Sequence, residues 1–232
     1  MPELSILMPV YNERATVEEA IARALEAALP VESRQLVVVD DCSTDGTREL
    51  LREREWPPEV AVHFHAKNGG KGAAVRTAIE NASGRWAAIL DADLEYDPAD
   101  IGRLLEPLQS DEAEVVYGVR GFDSRSAFSF WYVAGNKFVT LVASIMFNSY
   151  LADIMTCHKA MATDVWKSLD LRARGFELEG EITGRVLASG RRPYEVPITY
   201  RARGREDGKK LTGTDALRVV ATLVRVRLGR RR

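Results

Sequence analysis

This chain of 232 residues is poor in cysteine and histidine and lacks several signatures that would place it in a common enzyme class. Its two cysteines, Cys42 and Cys157, are far apart and outside any C-x-x-C spacing, which excludes a zinc ribbon and a disulfide framework. The three histidines, His63, His65 and His158, have no ligand spacing and read as structural. No G-x-G-x-x-G follows the first strand, where the chain reads Pro9-Val10-Tyr11-Asn12-Glu13, and this disfavours a dinucleotide dehydrogenase. Asn68-Gly69-Gly70-Lys71-Gly72 resembles a phosphate loop, but a Walker A sequence would need Gly at 65 and Ser or Thr at 72. Asp41-x-Ser43-x-Asp45-Gly46 begins like a calcium loop, yet its twelfth position is Arg52. There is no G-x-S-x-G nucleophile elbow, and no repeat or low-complexity linker. The N-terminal MPELSILMPVYNE lacks the basic and long apolar regions of a signal peptide, so a reducing, cytoplasmic setting is expected.

What is present is the material of one large α/β domain, 46% hydrophobic and 28% charged. The net charge of −2 conceals an asymmetry. From Arg191 onward there are 13 Lys and Arg against four Asp and Glu, whereas the first 190 residues hold 19 basic and 30 acidic residues. A basic end of this kind suits an anionic partner such as phosphate or lipid headgroups, a solvated tail being the plainer alternative.

Strand and helix signals alternate through the first half. Apolar runs at Leu4–Val10, Leu36–Val39, Val60–Phe64, Trp86–Leu90 and Glu114–Tyr117 predict strands. Helical periodicity is expected from Thr16, through a Thr16-x-x-Glu19 capping box, from Thr47, over Gly70–Asn81 and over Pro98–Leu108. This alternation predicts a doubly wound, mostly parallel sheet, in which ligands bind beyond the carboxyl ends of the strands. The polar clusters after the first, second and fourth strands all fall there.

The second half differs. Ala127–Met146 is long and apolar, but Asn136 and Lys137 interrupt it, and a lysine costs roughly 2.5–3.5 kcal/mol at the centre of a spanning helix. An interfacial or partly buried helix is the expectation. A helix over Glu177–Ala188, a strand over Tyr194–Tyr200 and a charged loop over Arg203–Lys210 follow. A final helix over Leu211–Leu228 carries Leu217, Val220, Ala221 and Val224 on one face. The chain is read as a single domain: 1–122 for the nucleotide, 123–210 for the acceptor, and 211–232 as a basic amphipathic helix.

The sharpest motif is Asp91-Ala92-Asp93, just past an apolar strand. Two carboxylates at this spacing repel each other unless a hard cation such as Mg²⁺ or Mn²⁺ joins them and recruits phosphate oxygens. A D-x-D triplet alone is weak, and its place after the fourth strand gives it weight. Glu95 follows at the same parity, as a third ligand or a solvated turn residue. In Asp40–Thr47, Asp45 is expected to cap the next helix and Asp41 to accept from a base N–H.

Taken in order, LSILMPVYNE, VVVDDCSTDGT, NGGKGAAVRTAI, AAILDADLEYDP and VVYGVR resemble the family 2 glycosyltransferases of GT-A fold. The continuation EVPITYRARGREDGKKL is similar to dolichol-phosphate mannose synthases and bacterial polyprenyl-phosphate relatives. The resemblance covers nearly the whole chain. It implies that Pro9, Tyr11, Glu13, Val39 and Asp41 hold the base and ribose. It further implies that Asp91, Ala92 and Asp93 bind the diphosphate through the metal, with Glu95 where relatives often have Gln. Arg120 matches an arginine near the sugar and acceptor phosphates, and Arg203 and Lys210, or its rival Lys209, match residues that close over the diphosphate.

The implied reaction is inverting transfer of a hexose, mannose from GDP-mannose first and glucose from UDP-glucose second, to a polyprenyl or dolichyl phosphate. An anionic lipid phosphate needs no general base to become a nucleophile, and Arg120 and Arg125 are expected to bind it. Peripheral contact with the inner face of the membrane, a membrane-protein partner and no nucleic acid complete the expectation. Two alternatives stand beside it. One is a soluble transferase acting on a sugar or protein hydroxyl, with Glu177, Glu179 or Glu181 as base; the other is a nucleotide-sugar-binding membrane scaffold.

Overall fold

The computed structural model describes residues 2–121, 130–201 and 213–229. Arg125, Arg203, Lys209 and Lys210 lie outside the described residues, as does the Arg230–Arg232 end.

Seven strands form one sheet. In chain order they are β1 (Leu4–Val10), β2 (Arg34–Asp40), β3 (Val60–Phe64), β4 (Trp86–Ile89), β5 (Val115–Arg120), β6 (Lys159–Ala162) and β7 (Tyr194–Ile198). Their spatial order is β3-β2-β1-β4-β6-β5-β7. All neighbouring pairs are parallel except β4–β6 and β5–β6, so a single reversed strand sits inside an otherwise parallel sheet. Strand β6 was not expected from the sequence: it is four residues long and opens with a lysine. Because β6 lies between β4 and β5, the first and second halves of the chain share one sheet.

Alternation along the central strands feeds two apolar layers. Leu4, Ile6, Met8, Leu36 and Val38 face α1 (Val17–Glu26) and α4 (Asp100–Gln109). Leu7, Val37 and Val39 face α3 (Lys71–Asn81) and α7 (Leu178–Ala188), together with Trp166 of α6 (Thr163–Ser168). Helix α2 (Thr47–Glu53) adds Leu51 to the first layer. A third, smaller core joins Val139 and Ala143 of α5 (Phe130–Phe147) to Val219 and Leu223 of α8 (Gly213–Gly229) and to Leu187 of α7.

Two local expectations are corrected. Thr16 does not close a capping box: its hydroxyl lies 2.9 Å from Glu13 Oε2, while Glu19 pairs with Arg23 one turn on. On α8 the packed face is Ala216, Val219, Val220 and Leu223, one step round from the expected stripe. Leu217, Val224 and Leu228 are exposed instead, so this helix has apolar residues on two sides.

Helix α5 is long and apolar enough to cross a membrane by length and composition. Asn136, Val139, Thr140 and Ala143, at spacings of three and four, are its buried residues. Trp131 (81% exposed), Phe138, Leu141 and Ile145 (72%) form the outward stripe.

Candidate active site

The carboxyl ends of β1, β2 and β4 are where the polar clusters of the sequence were expected to meet, and the backbone there is unusual. Asn12, Cys42 and Leu94 have φ of 55°, 63° and 62°, one in each of the loops that follow these strands. Left-handed conformations in non-glycine residues cost about 1–3 kcal/mol each and persist only where surrounding bonds enforce them. Here the enforcing bonds are visible. Asn12 N donates to Ser43 Oγ (2.9 Å), Thr44 N to Asn12 Oδ1 (2.8 Å), Glu13 N to Thr47 Oγ1 (3.0 Å) and Arg14 N to Asp45 Oδ2 (3.1 Å). Asp45 also accepts from Thr47 N at 3.0 Å, but the cap of α2 is Gly46 (φ 93°) and not Asp45 as expected, because Asp45 stands one residue before the cap and turns back to Arg14. The Asp-Ser-Thr cluster therefore laces two site loops together.

These loops and the segments opposite enclose a cavity of about 350 Å³. Pro9, Tyr11, Glu13, Asp41, Asp91, Ala92, Asp93, Glu95 and Arg120 all line it. Val39 does not. Its side chain is wholly buried in the α3 layer, because strand alternation sends it to the sheet face and away from the strand end.

Asp41 is 2% exposed and already well supplied with donors. Its Oδ1 meets His65 Nδ1 at 2.6 Å and Gly69 N at 2.9 Å, and its Oδ2 accepts from Gly70 N at 2.7 Å. An ionised carboxylate offers about four acceptor positions, so room for one further donor remains on this wall. His65, read from sequence as structural, is the residue that orients Asp41; its other nitrogen lies 2.9 Å from Thr77 Oγ1.

Asp91 is paired with a residue that the sequence reading had set aside. Lys71 Nζ is 2.7 Å from Asp91 Oδ2 and 2.9 Å from Cys157 Sγ. Burial pulls the Lys71 pKa down, but Asp91, Cys157 and Glu179 more than reverse this and hold it well above its ordinary value. Burial likewise raises Asp91, and Lys71 outweighs that and leaves it below its usual range. The Cys157 thiol is pushed well up by burial and by Asp91. Asp93 Oδ1 accepts from Glu95 N (3.1 Å), which shapes the turn.

Among the described residues no three His, Cys, Asp or Glu converge as a metal cluster. Glu95, expected as a third ligand, instead receives the Tyr200 hydroxyl at 2.7 Å, while its carbonyl accepts from Arg201 N at 2.8 Å. Glu95 thus ties the Asp91–Asp93 turn to the chain that leaves β7. The pair that remains, Asp91 and Asp93, supplies hard oxygens only. It fits Mg²⁺ or Mn²⁺, which commonly take one or two carboxylates and complete their shell with phosphate oxygens and water.

The opposite wall is built from ion pairs. Arg120 is 4% exposed and grips Asp153 through Nε (2.7 Å) and a terminal nitrogen (2.9 Å), with a third N–H on the Tyr132 hydroxyl (2.9 Å). Asp153 is itself placed by Glu195, which accepts from Ala152 N and Asp153 N. Of the three glutamates considered as bases, Glu179 alone lines the cavity. Glu177 accepts from Arg174 N and Gly175 N, and Glu181 from Arg172 N, Ala173 N and Arg185. Glu179 pairs through Oε2 with the wholly buried Lys159, whose ammonium also lies 4.9 Å from the Tyr117 ring centroid.

Comparison with known proteins agrees with this architecture. A dolichol-phosphate mannosyltransferase of Pyrococcus furiosus is 29% identical over 96% of this chain and 64% of its own length. An undecaprenyl-phosphate mannosyltransferase of Micrococcus luteus is 28% identical over 84% of this chain and 82% of its own. The chain spans less than two thirds of the Pyrococcus protein and of several further relatives, among them a Haloferax volcanii glycosyltransferase covered over 62% of its length. The fold matches that of glucosyl-3-phosphoglycerate synthase from Mycobacterium tuberculosis, crystallised with Mn²⁺, uridine diphosphate and phosphoglyceric acid, with a TM-score of 0.71 at 19% identity. That match covers 97% of this chain and 78% of the other. The glycosyl transferase family 2 profile matches residues 5–167, from β1 through the Asp91–Asp93 turn to β6 and α6, and this chain belongs to that family.

Proposed function

We propose that this protein transfers a hexose from a nucleoside diphosphate sugar to the phosphate of a polyprenyl-type lipid at the cytoplasmic face of a membrane. The observation that carries the reading is a juxtaposition. One cavity holds Asp91 and Asp93 on one side and Arg120 with Tyr132 on the other. Tyr132 belongs to α5, the helix that turns Trp131, Phe138, Leu141 and Ile145 outward. Such a stripe gives a lipid acceptor and the membrane that holds it a surface to meet. The names of the Pyrococcus and Micrococcus relatives support the lipid phosphate, and their sugar favours GDP-mannose over UDP-glucose.

In this reading Pro9, Tyr11, Glu13 and Asp41 receive the base and ribose, Asp41 through the acceptor position its internal partners leave open. Asp91 and Asp93 would hold Mg²⁺ or Mn²⁺, whose bound charge supplies Lewis-acid stabilisation of the leaving diphosphate. Arg203 and Lys210, or Lys209, which lie outside the described residues, are assigned to the diphosphate as further cations. The acceptor phosphate approaches the Arg120 wall, with Arg125 as a second cation. Its oxygen attacks the anomeric carbon as the bond to the diphosphate breaks, the nucleoside diphosphate leaves with the electron pair, and the configuration inverts. No proton must be removed from a phosphate monoanion or dianion. The wall accordingly needs positioned cations and no general base.

The test is a product screen by mass spectrometry. GDP-mannose and UDP-glucose are each offered with a polyprenyl phosphate, or with water-soluble sugar and peptide acceptors, in the presence of Mg²⁺ or Mn²⁺. A hexosyl-phosphoryl-polyprenol product is expected. Transfer only to a soluble hydroxyl would overturn the acceptor assignment.

A further inference from the structure

Lys71 stands between two carboxylates that belong to different parts of the fold. Its ammonium is 2.7 Å from Asp91 Oδ2 and 3.8 Å from Glu179 Oε1. Glu179 is 2% exposed, and its Oε1 is buried without a hydrogen-bond partner, while Oε2 is taken by Lys159. A buried carboxylate oxygen without a donor is unusual, and here it points at an ammonium group already engaged elsewhere.

The backbone beneath Lys71 is clamped. Gly70 has φ of 85°, and a Cβ there would lie 2.3 Å from Arg174 O; at Gly72 it would lie 2.2 Å from Ala173 O. Gly72 N donates to Arg174 O at 2.7 Å. The start of α3 is therefore fixed against the segment that leads into α7, the helix carrying Glu179. With both backbones held, the freedom left at this point is in the lysine side chain, whose four-carbon stem can carry the charge about an ångström or more without moving the fold.

A divalent cation on Asp91 and an ammonium group on the same carboxylate repel each other. We propose that Lys71 is a resident counter-cation of Asp91 that yields to the incoming metal ion by moving onto Oε1 of Glu179. The Lys71–Glu179 pair thereby sets the metal affinity of the site. This rests on Asp91 and Asp93 being the metal-holding pair. In the metal-free protein the lysine offsets the charge of Asp91. With the ion bound, the same lysine satisfies the orphaned glutamate oxygen, and neither carboxylate is left bare in either state. Glu179 is on this account a positioning residue acting through Lys71.

The test is Mn²⁺ binding to the full chain, read from loss of the free-ion electron paramagnetic resonance signal, with GDP or UDP present. Lys71→Met removes the competitor and is expected to tighten Mn²⁺ binding by about tenfold; Glu179→Gln removes the alternative partner and is expected to weaken it by a similar factor. Tenfold corresponds to about 1.4 kcal/mol. The double variant is expected to match Lys71→Met, because Glu179 has no effect once the lysine is gone. Since Glu179→Gln also strips Lys159 of its partner, thermal unfolding accompanies each titration, and Lys71→Met decides the matter by itself if the glutamine variant fails to fold. Unchanged or weaker Mn²⁺ binding in Lys71→Met overturns the exchange. Wild-type protein that binds no more Mn²⁺ than Asp93→Ala overturns the metal reading of the site, and the exchange with it.

Discussion

The two walls of the cavity hold their charges by different means. On the β1–β2 side, Asp41 is held chiefly by main-chain N–H groups and a histidine, and the loops are laced by short-range hydrogen bonds. On the side made by α5, α7 and residues 152–159, charges are held by one another: Arg120 by Asp153, and Lys159 by Glu179. A carboxylate cradled by backbone donors keeps its place whatever the neighbouring side chains do. A wall of buried ion pairs keeps its shape only while both members are present, because a lone buried charge is costly. The Lys71–Asp91 pair lies at the seam of the two walls and faces the cavity.

The largest stability effect is expected where that contrast is sharpest. Lys159→Ala strips the buried Glu179 of its close partner, leaving only Lys71 at 3.8 Å, and should cost about 3–5 kcal/mol in chemical denaturation. A loss below about 1 kcal/mol would show that this wall does not depend on its ion pairs. Gly70→Ala attacks the other wall, forcing a side chain into a left-handed backbone and onto Arg174 O, 2.3 Å away. A penalty of about 1–3 kcal/mol, together with weakened nucleotide binding in calorimetry, is the expected outcome.

A pH series separates the walls by a different route. His158 is buried with Nδ1 near Ile89 O (3.0 Å), and burial depresses its pKa below 6.5 despite the nearby carbonyls and acids. The unfolded chain therefore takes up a proton near pH 6.5 that the folded protein refuses. The His158 contribution is complete above that pH and is lost as pH falls through it toward the lower folded value. Urea midpoints should fall more between pH 7.5 and 5.5 for wild type than for His158→Gln, and equal falls would refute the assignment. The smallest effect is expected outside both walls. Ile145→Glu on the outward stripe of α5 should reduce sedimentation with anionic vesicles several-fold while leaving unfolding within about 0.5 kcal/mol of wild type.

These contrasts also explain what could be read in the sequence. Strands β1–β5 were legible because each is a short apolar run bounded by turn residues. The place of Asp91 and Asp93 on the cavity wall was legible because the triplet follows the fourth apolar run, at the carboxyl edge of a parallel sheet. What was missed depends on residues brought together from afar. Lys71 was set aside when the phosphate-loop pattern failed, and its partners Asp91, Cys157 and Glu179 lie 20 or more positions away in the chain. Strand β6 was missed because Lys159 reads as a surface charge until Glu179 is placed beside it. The Thr16 capping box failed because the Thr16 N–H is taken by Glu13 O and the Glu19 carboxylate by Arg23. On α8 both candidate apolar faces are real, and only the packing against α5 and α7 decides which is inside.

The central claim is that Asp91 and Asp93 act together on the departing nucleotide. Asp93→Ala tests it most directly, in transfer to polyprenyl phosphate measured alongside circular dichroism and thermal unfolding. The account predicts a loss of at least about a hundredfold in turnover with the fold intact. Turnover near the wild-type rate in a folded variant would contradict it.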